Sequence, residues 1–274
     1  MPYVYDGRTL IDYAFKGGFA MPAFNVGTLE MARACVEAAE LERAPIILQT
    51  SPGELTQASP AVLAGMIRAL AEEVAVPVML HLDHGEGPER VAACLRAGYS
   101  SVMYDGDHLK PEENIATTRR LAEWAHGSGV SLEAAAGSFG AGEGRGEGLH
   151  LTDPEIALRL LDDGGADMVA CSVGSVHGQA SRLDLDRLGA IARRTRKPLV
   201  LHGGTGIPAE DLAVATTLGV VKVNIGAGLQ RAVLKAWRER SEAEGVYEVS
   251  DAARAALVEV ACGKIRIMKA AGRA

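Results

Sequence analysis

The chain has 274 residues, 48% of them apolar and 23% charged, with a formal net charge of −7 at pH 7; this is a globular composition, far from disordered or membrane-embedded chains. The acidic balance, with no basic stretch longer than Arg193-Arg194-Thr195-Arg196-Lys197, argues against a nucleic-acid partner, which needs a basic surface that tracks phosphates. No apolar segment is long enough to cross a bilayer, residues 1–8 carry no basic-then-apolar leader pattern, and Cys35, Cys94, Cys171 and Cys262 form no CxxC pair, so reduced thiols, a cytoplasmic location and no membrane partner are expected.

Along the chain, short apolar runs of strand length alternate with amphipathic runs of helix length. Met21 to Phe24 precedes a helical pattern from Leu29 to Arg43, and Pro45 to Gln49 precedes one from Pro60 to Val74. Pro77 to Leu82 leads to a helix from Pro88 to Ala97, and Ser101 to Tyr104 to one from Pro111 to His126. Val130 to Ala134 runs into a glycine-rich loop and then a helix from Asp153. Met168 to Ser172, Pro198 to Leu201 and Val220 to Val223 supply the remaining strands, each with a helical pattern after it.

Strand-then-helix units repeating every ~25 to 35 residues require a parallel sheet, because parallel neighbours need a crossover of that length. Their number, and the lack of a GxGxxG fingerprint after the first strand, favour an α/β fold of one kind: a closed (β/α)8 TIM barrel forming a single domain over residues 1–274. The alanine-rich amphipathic segment at about 250–271 is left over after the eighth unit. It reads as an appended C-terminal helix.

Active sites of such barrels lie where the strands end. In chain order the tips carry Asn25; Thr50-Ser51; His81-Leu82-Asp83-His84; Asp105-Gly106-Asp107-His108; Glu133 with the loop 137–146; Gly174 to Gly178 around His177; His202-Gly203-Gly204-Thr205; and Asn224-Ile225-Gly226-Ala227. Four of the seven histidines, His84, His108, His177 and His202, therefore fall on one rim. Three imidazoles from different strands make a catalytic divalent-metal site with one open position. Glycine-rich turns after the seventh and eighth strands, Gly203-Gly204-Thr205 and Asn224 to Ala227, suit a phosphate, because their backbone N–H groups can point at it. Asp83 and Glu143 are the carboxylates placed to move protons, Glu143 from the glycine-rich loop.

The runs Pro22-Ala23-Phe24-Asn25, His81-Leu82-Asp83-His84, Ser101-Val102-Met103-Tyr104-Asp105, Gly174-Ser175-Val176-His177-Gly178, Leu201 to Gly206 and Lys222-Val223-Asn224-Ile225 together resemble the class II, zinc-dependent ketose-bisphosphate aldolases, in the fructose-bisphosphate and tagatose-bisphosphate branch. The resemblance implies reversible cleavage of a ketose 1,6-bisphosphate to dihydroxyacetone phosphate and glyceraldehyde 3-phosphate. It implies that His84, His177 and His202 hold Zn²⁺ or another divalent ion, with Asp83 carrying the proton of the aldehyde oxygen and Glu143 that of the triose phosphate carbon. It further implies substrate contacts from Asn25, Ser51, Gly178, Gly203, Gly204, Thr205, Asn224, Ile225, Gly226 and Ala227, a monovalent cation, and a homodimer or homotetramer.

The chain departs from that pattern at several positions. The resemblance leads one to expect Glu-x-Glu on the fifth strand, giving a second metal position with Asp105; here Glu133 is followed by Ala134-Ala135. Asp105 and Glu133 are then the remaining candidates for that second position, or supports for the histidines. Ala227 and Gly228 stand where a threonine and an acid are usual, and Asp107 replaces a serine. Two further readings follow: an aldolase for another phosphorylated ketose, and a metal- and phosphate-binding barrel whose turnover is impaired by Ala135.

Overall fold

In a computed structural model, which describes residues 2–138, 150–242 and 245–274, parallel strands close into one barrel in the order β1 to β8. The strands are β1 Met21–Asn25, β2 Ile46–Thr50, β3 Val78–Leu82, β4 Ser101–Tyr104, β5 Ser131–Ala136, β6 Met168–Cys171, β7 Leu199–Leu201 and β8 Val220–Ile225. Around them run α1 Gly7–Gly17, α2 Leu29–Glu42, α3 Pro52–Leu55, α4 Pro60–Glu72, α5 Pro88–Ala97, α6 Pro111–Gly127, α7 Pro154–Asp162, α8 Leu185–Thr195, α9 Ala209–Thr217, α10 Ala227–Glu239 and α11 Val246–Ile267. The expected (β/α)8 barrel is present.

Every residue of every strand is buried, from the barrel interior on one face and from the helices on the other. That double burial is why the strands read as apolar runs rather than as alternation. Helix starts are set locally: Pro52, Pro60, Pro88, Pro111 and Pro154 open their helices, where proline's missing N–H has no helical partner to lose.

Helix α1 was not apparent from periodicity. Asp6 caps it by accepting from the Arg8 and Thr9 N–H groups, and Gly18 ends it in a left-handed conformation. Gly7 packs so closely under β4 and β5 that a Cβ there would collide with the Ser100 carbonyl. The helix thus closes the N-terminal end of the barrel, and the opposite end carries the strand tips.

The C-terminal helix begins and ends about one turn earlier than expected, at Val246–Ile267 rather than 250–271. Extended Gly245 starts it, and Lys269, with φ of 60°, turns the chain away after it. It lies against α2 and α10, joined to α2 by Arg254–Glu37 at 3.4 Å and Arg266–Glu42 at 2.6 Å.

Candidate active site

Alternate strand residues face the barrel axis, and the polar ones form a connected network below the strand tips. His81 Nδ1 lies 2.7 Å from Ser101 Oγ, and the Ser131 hydroxyl donates to that same oxygen at 2.8 Å. Glu133 and Lys222, both fully buried, form an ion pair at 2.9 Å. His81 Nε2 lies 3.4 Å from the same carboxylate. Burial holds the His81 imidazole neutral, with a pKa well below the ordinary value. His81 is thus a supporting residue of the interior.

Above this layer the chain turns sharply at His84. Its φ of 56° is left-handed, a conformation that costs a β-carbon-bearing residue about 1 to 3 kcal/mol. Gly85 follows with no room for a Cβ against the Met103 carbonyl, so the turn is pressed directly onto β4. The outcome of that strained turn is a histidine ring that points across the barrel mouth.

His84, His177 and His202 each offer a ring nitrogen to one point, the three atoms lying within 4.8 Å of one another. His84 Nδ1 is 2.9 Å from Asp105 Oδ2, and His202 Nε2 is 3.1 Å from Glu133 Oε1. A carboxylate can only accept, so each of those nitrogens carries the hydrogen, and the Asn224 amide nitrogen, also 3.2 Å from His202 Nε2, is a neighbouring donor there rather than a hydrogen-bond partner. The nitrogens left facing each other, His84 Nε2 and His202 Nδ1, are 3.2 Å apart and both present lone pairs. Two lone pairs at that distance repel unless a cation lies between them. The separation also matches the edge of a tetrahedron with metal–nitrogen bonds near 2.05 Å, about 3.3 Å. Burial and the neighbouring rings lower the pKa of both His177 and His202, keeping them neutral and able to bind metal. The residues therefore fit a divalent ion.

Asp105 and Glu133 stand outside this group, each on the far side of a ligand ring. Glu133 is also enclosed by His81 and Lys222, while Ala135, buried beside it on β5, offers only a methyl group. Their geometry is that of carboxylates that orient histidines. His108, the fourth rim histidine, is exposed and apart.

Asp83 sits beside His84 and accepts three amide hydrogen bonds, from Asn25 at 2.9 Å, Gln49 at 3.1 Å and Asn224 at 2.8 Å. Lys222 in turn donates to the Asn224 carbonyl at 2.7 Å, which aims the amide N–H at Asp83. Burial alone would raise the Asp83 pKa, but the interactions with His84, His202 and the Lys222 ammonium and the Asn25 bond outweigh it and hold the carboxyl well below the usual range. At neutral pH Asp83 is an oriented carboxylate, ready to accept a proton.

The cavity at the mouth is lined by Asn25, Ser51, Glu54, Asp83, His84, His177, Gly178, Gly203, Thr205, Asn224, Gly226, Ala227 and Gln230. Among the expected substrate residues, Gly204 and Ile225 do not line it: Ile225 is fully buried, and a Cβ on Gly204 would press on Val223 and Ile225. Helix α10 starts at Ala227 on the rim with no acidic residue in its first turn. There Gly228 N–H donates to Thr205 Oγ1, and Leu229 and Gln230 N–H to the Gly226 carbonyl. Among the described residues, the Ala227 N–H has no partner, so the positive end of the helix dipole faces the cavity with a free donor.

Ser51 caps α3 in a reciprocal pair with Glu54, its hydroxyl donating at 2.6 Å. Asp107 does not face the cavity; its carboxylate accepts the Gly137 N–H at 2.7 Å and braces the tip of β5. Glu143 lies outside the described residues. Gln49, Lys222, Glu54 and Gln230 are given no site role by the sequence alone. For Lys222 the signal was available: a lysine inside an apolar strand, two residues before Asn224 and so on the same face.

The profile of the class-II fructose-bisphosphate aldolase family matches residues 6–273. The chain is 38% identical over 269 residues to a protein of Bacillus subtilis (strain 168) named probable fructose-bisphosphate aldolase, covering 94% of each. It is 36% identical to a fructose-bisphosphate aldolase of Staphylococcus aureus, with both chains fully covered. Among solved structures it resembles the YdjI aldolase of Escherichia coli K12, with a TM-score of 0.87, 29% identity and coverage of 97% of this chain and 98% of that one. It also resembles a putative fructose-1,6-bisphosphate aldolase of Coccidioides immitis, with a TM-score of 0.90, 28% identity and coverage of 98% and 97%.

Proposed function

The chain belongs to the class-II fructose-bisphosphate aldolase family, and from that premise we propose that it is a metal-dependent lyase that reversibly cleaves a ketose 1,6-bisphosphate of the fructose or tagatose type to dihydroxyacetone phosphate and glyceraldehyde 3-phosphate. The observation that carries this reading is the convergence of three imidazoles beside an oriented carboxylate, with a free-donor helix terminus on the same cavity.

His84, His177 and His202 would hold Zn²⁺ or a similar divalent ion, which supplies Lewis acidity toward the ketone oxygen when bound. Asp83 accepts the proton of the C4 hydroxyl as the C3–C4 bond breaks, and the aldehyde leaves. The electron pair stays on the triose phosphate carbon until a proton is delivered there, the role we assign to Glu143. In the synthetic direction Asp83 returns its proton to the new hydroxyl. The three amides on Asp83 keep that carboxylate in one orientation for either direction.

One phosphate would lie at the start of α10 and the turn after β7, a reading supported by the presence of Thr205, Gly226 and Ala227 on the cavity wall together with Gly178 and Ser51. Ala227 brings no hydroxyl to that phosphate, so backbone N–H groups and Thr205 must serve. Asp105 and Glu133 act through the histidines rather than as a separate metal position. Incubating the zinc-loaded protein with fructose 1,6-bisphosphate and, separately, tagatose 1,6-bisphosphate, and measuring dihydroxyacetone phosphate, tests the reading. Product from at least one sugar supports it; no product from either overturns it.

A further inference from the structure

The appended helix α11 reaches into the phosphate-binding turn through one side chain. Lys264 Nζ donates to the Gly204 carbonyl at 2.9 Å. The side chain is partly buried, and desolvation lowers its pKa; among the described residues it makes no ion pair. A lysine with a flexible four-carbon stem normally carries its charge to water. Here the charge is turned inward onto a neutral oxygen.

We propose that Lys264 is a positioning residue for the phosphate, acting through the Gly204–Thr205 peptide; this rests on the reading of that turn given above. The Gly204 N–H is already fixed by donating to the Asn224 carbonyl at 2.9 Å. In a trans peptide the carbonyl of one residue and the N–H of the next point in opposite directions. Lys264 draws the Gly204 carbonyl outward toward α11, and so turns the Thr205 N–H inward, toward the cavity that Thr205 lines. Among the described residues that N–H donates to no protein group. Thr205 Oγ1 is held as well, as the acceptor of the Gly228 N–H at 3.0 Å.

Lys264 thereby presents one backbone donor and places a positive charge behind the anion site. Both effects favour a phosphate over a neutral ligand. The helix that looked like packing added to a finished barrel carries part of the substrate site.

The test compares the unsubstituted, zinc-loaded protein with Lys264→Met, Lys264→Gln and Lys264→Arg by calorimetric titration with inorganic phosphate, by KM and kcat for the sugar bisphosphate, and by thermal midpoint. The expected result for Lys264→Met is phosphate binding and KM each weaker by about tenfold, the scale of one charge-assisted hydrogen bond, with kcat changed far less. Lys264→Arg should restore most of the phosphate affinity, and Lys264→Gln, which keeps a donor without charge, should fall between. A lowered midpoint with phosphate affinity and KM unchanged in Lys264→Met and Lys264→Gln would reduce Lys264 to a tether and overturn the proposal. Phosphate binding without cleavage by the unsubstituted protein would overturn the reaction assignment alone. No phosphate binding by that protein would overturn both.

Discussion

Glu133 Oε1 lies 3.1 Å from His202 Nε2, on the edge of the ring opposite the nitrogen that faces His84. One carboxylate thus fixes which nitrogen of His202 is free for metal, while its other oxygen pairs with Lys222 at 2.9 Å. Two different energies meet in this residue, and substitution separates them.

Glu133→Gln keeps the shape but weakens the hold on the His202 tautomer. Metal affinity should fall about 10- to 100-fold, measured by competition with a chromophoric chelator. Glu133→Ala should in addition destabilise the fold by about 3 to 5 kcal/mol, because it leaves the Lys222 charge buried and uncompensated. The double variant Glu133→Ala with Lys222→Met should recover much of that loss in denaturant titrations. Equal stability of the single and double variants would contradict the pairing.

Asp83→Asn removes the proton acceptor without altering a metal ligand. The cleavage rate should drop about 100- to 10,000-fold, the range typical of a lost acid–base group, with metal content unchanged. Rates within a few-fold of the unsubstituted protein would transfer the proton step to another group.

Acid should weaken the metal-free fold in a defined window. The pKa values of His81, His177 and His202 are lowered on folding, so the unfolded chain binds more protons than the folded one once the pH falls below about 6.5. Their contribution to stability is full above that pH and is lost progressively as the pH falls toward the folded-state values. Asp83, also lowered, adds a further loss below the ordinary carboxylate range. Unfolding free energy measured between pH 8 and 5 should therefore decline below about pH 6.5; a flat profile would show that these rings are not neutral when folded.

Ala227→Thr adds a hydroxyl at the start of α10, beside the proposed phosphate. Phosphate affinity should rise by about tenfold if that hydroxyl donates to the anion. No change, measured by calorimetry, would place the phosphate away from this turn.

The barrel was legible because parallel strands buried on both faces leave apolar runs at regular intervals, as in Ile46-Ile47-Leu48 and Val78-Met79-Leu80. Its rim was legible because chemistry gathers where those runs stop: the tips offered four histidines, the family resemblance singled out His84, His177 and His202, and these three meet beside Asp83 while His108 stays exposed. The network beneath was not. Gln49 and Lys222 lie within strands, where their function depends on which side chains converge from neighbouring strands, and that pairing register is invisible in one dimension. Lys264 was hidden for a related reason: its helix reads as amphipathic packing, and only the folded chain brings residue 264 to residue 204.

The central claim is that these three histidines hold the ion on which cleavage depends. It is tested most directly by the rate of dihydroxyacetone phosphate release from the preferred sugar bisphosphate, followed through chelation and then zinc addition in one preparation. The account predicts that chelation abolishes the rate and that stoichiometric zinc restores it. A rate that persists in protein shown to be metal-free would contradict it.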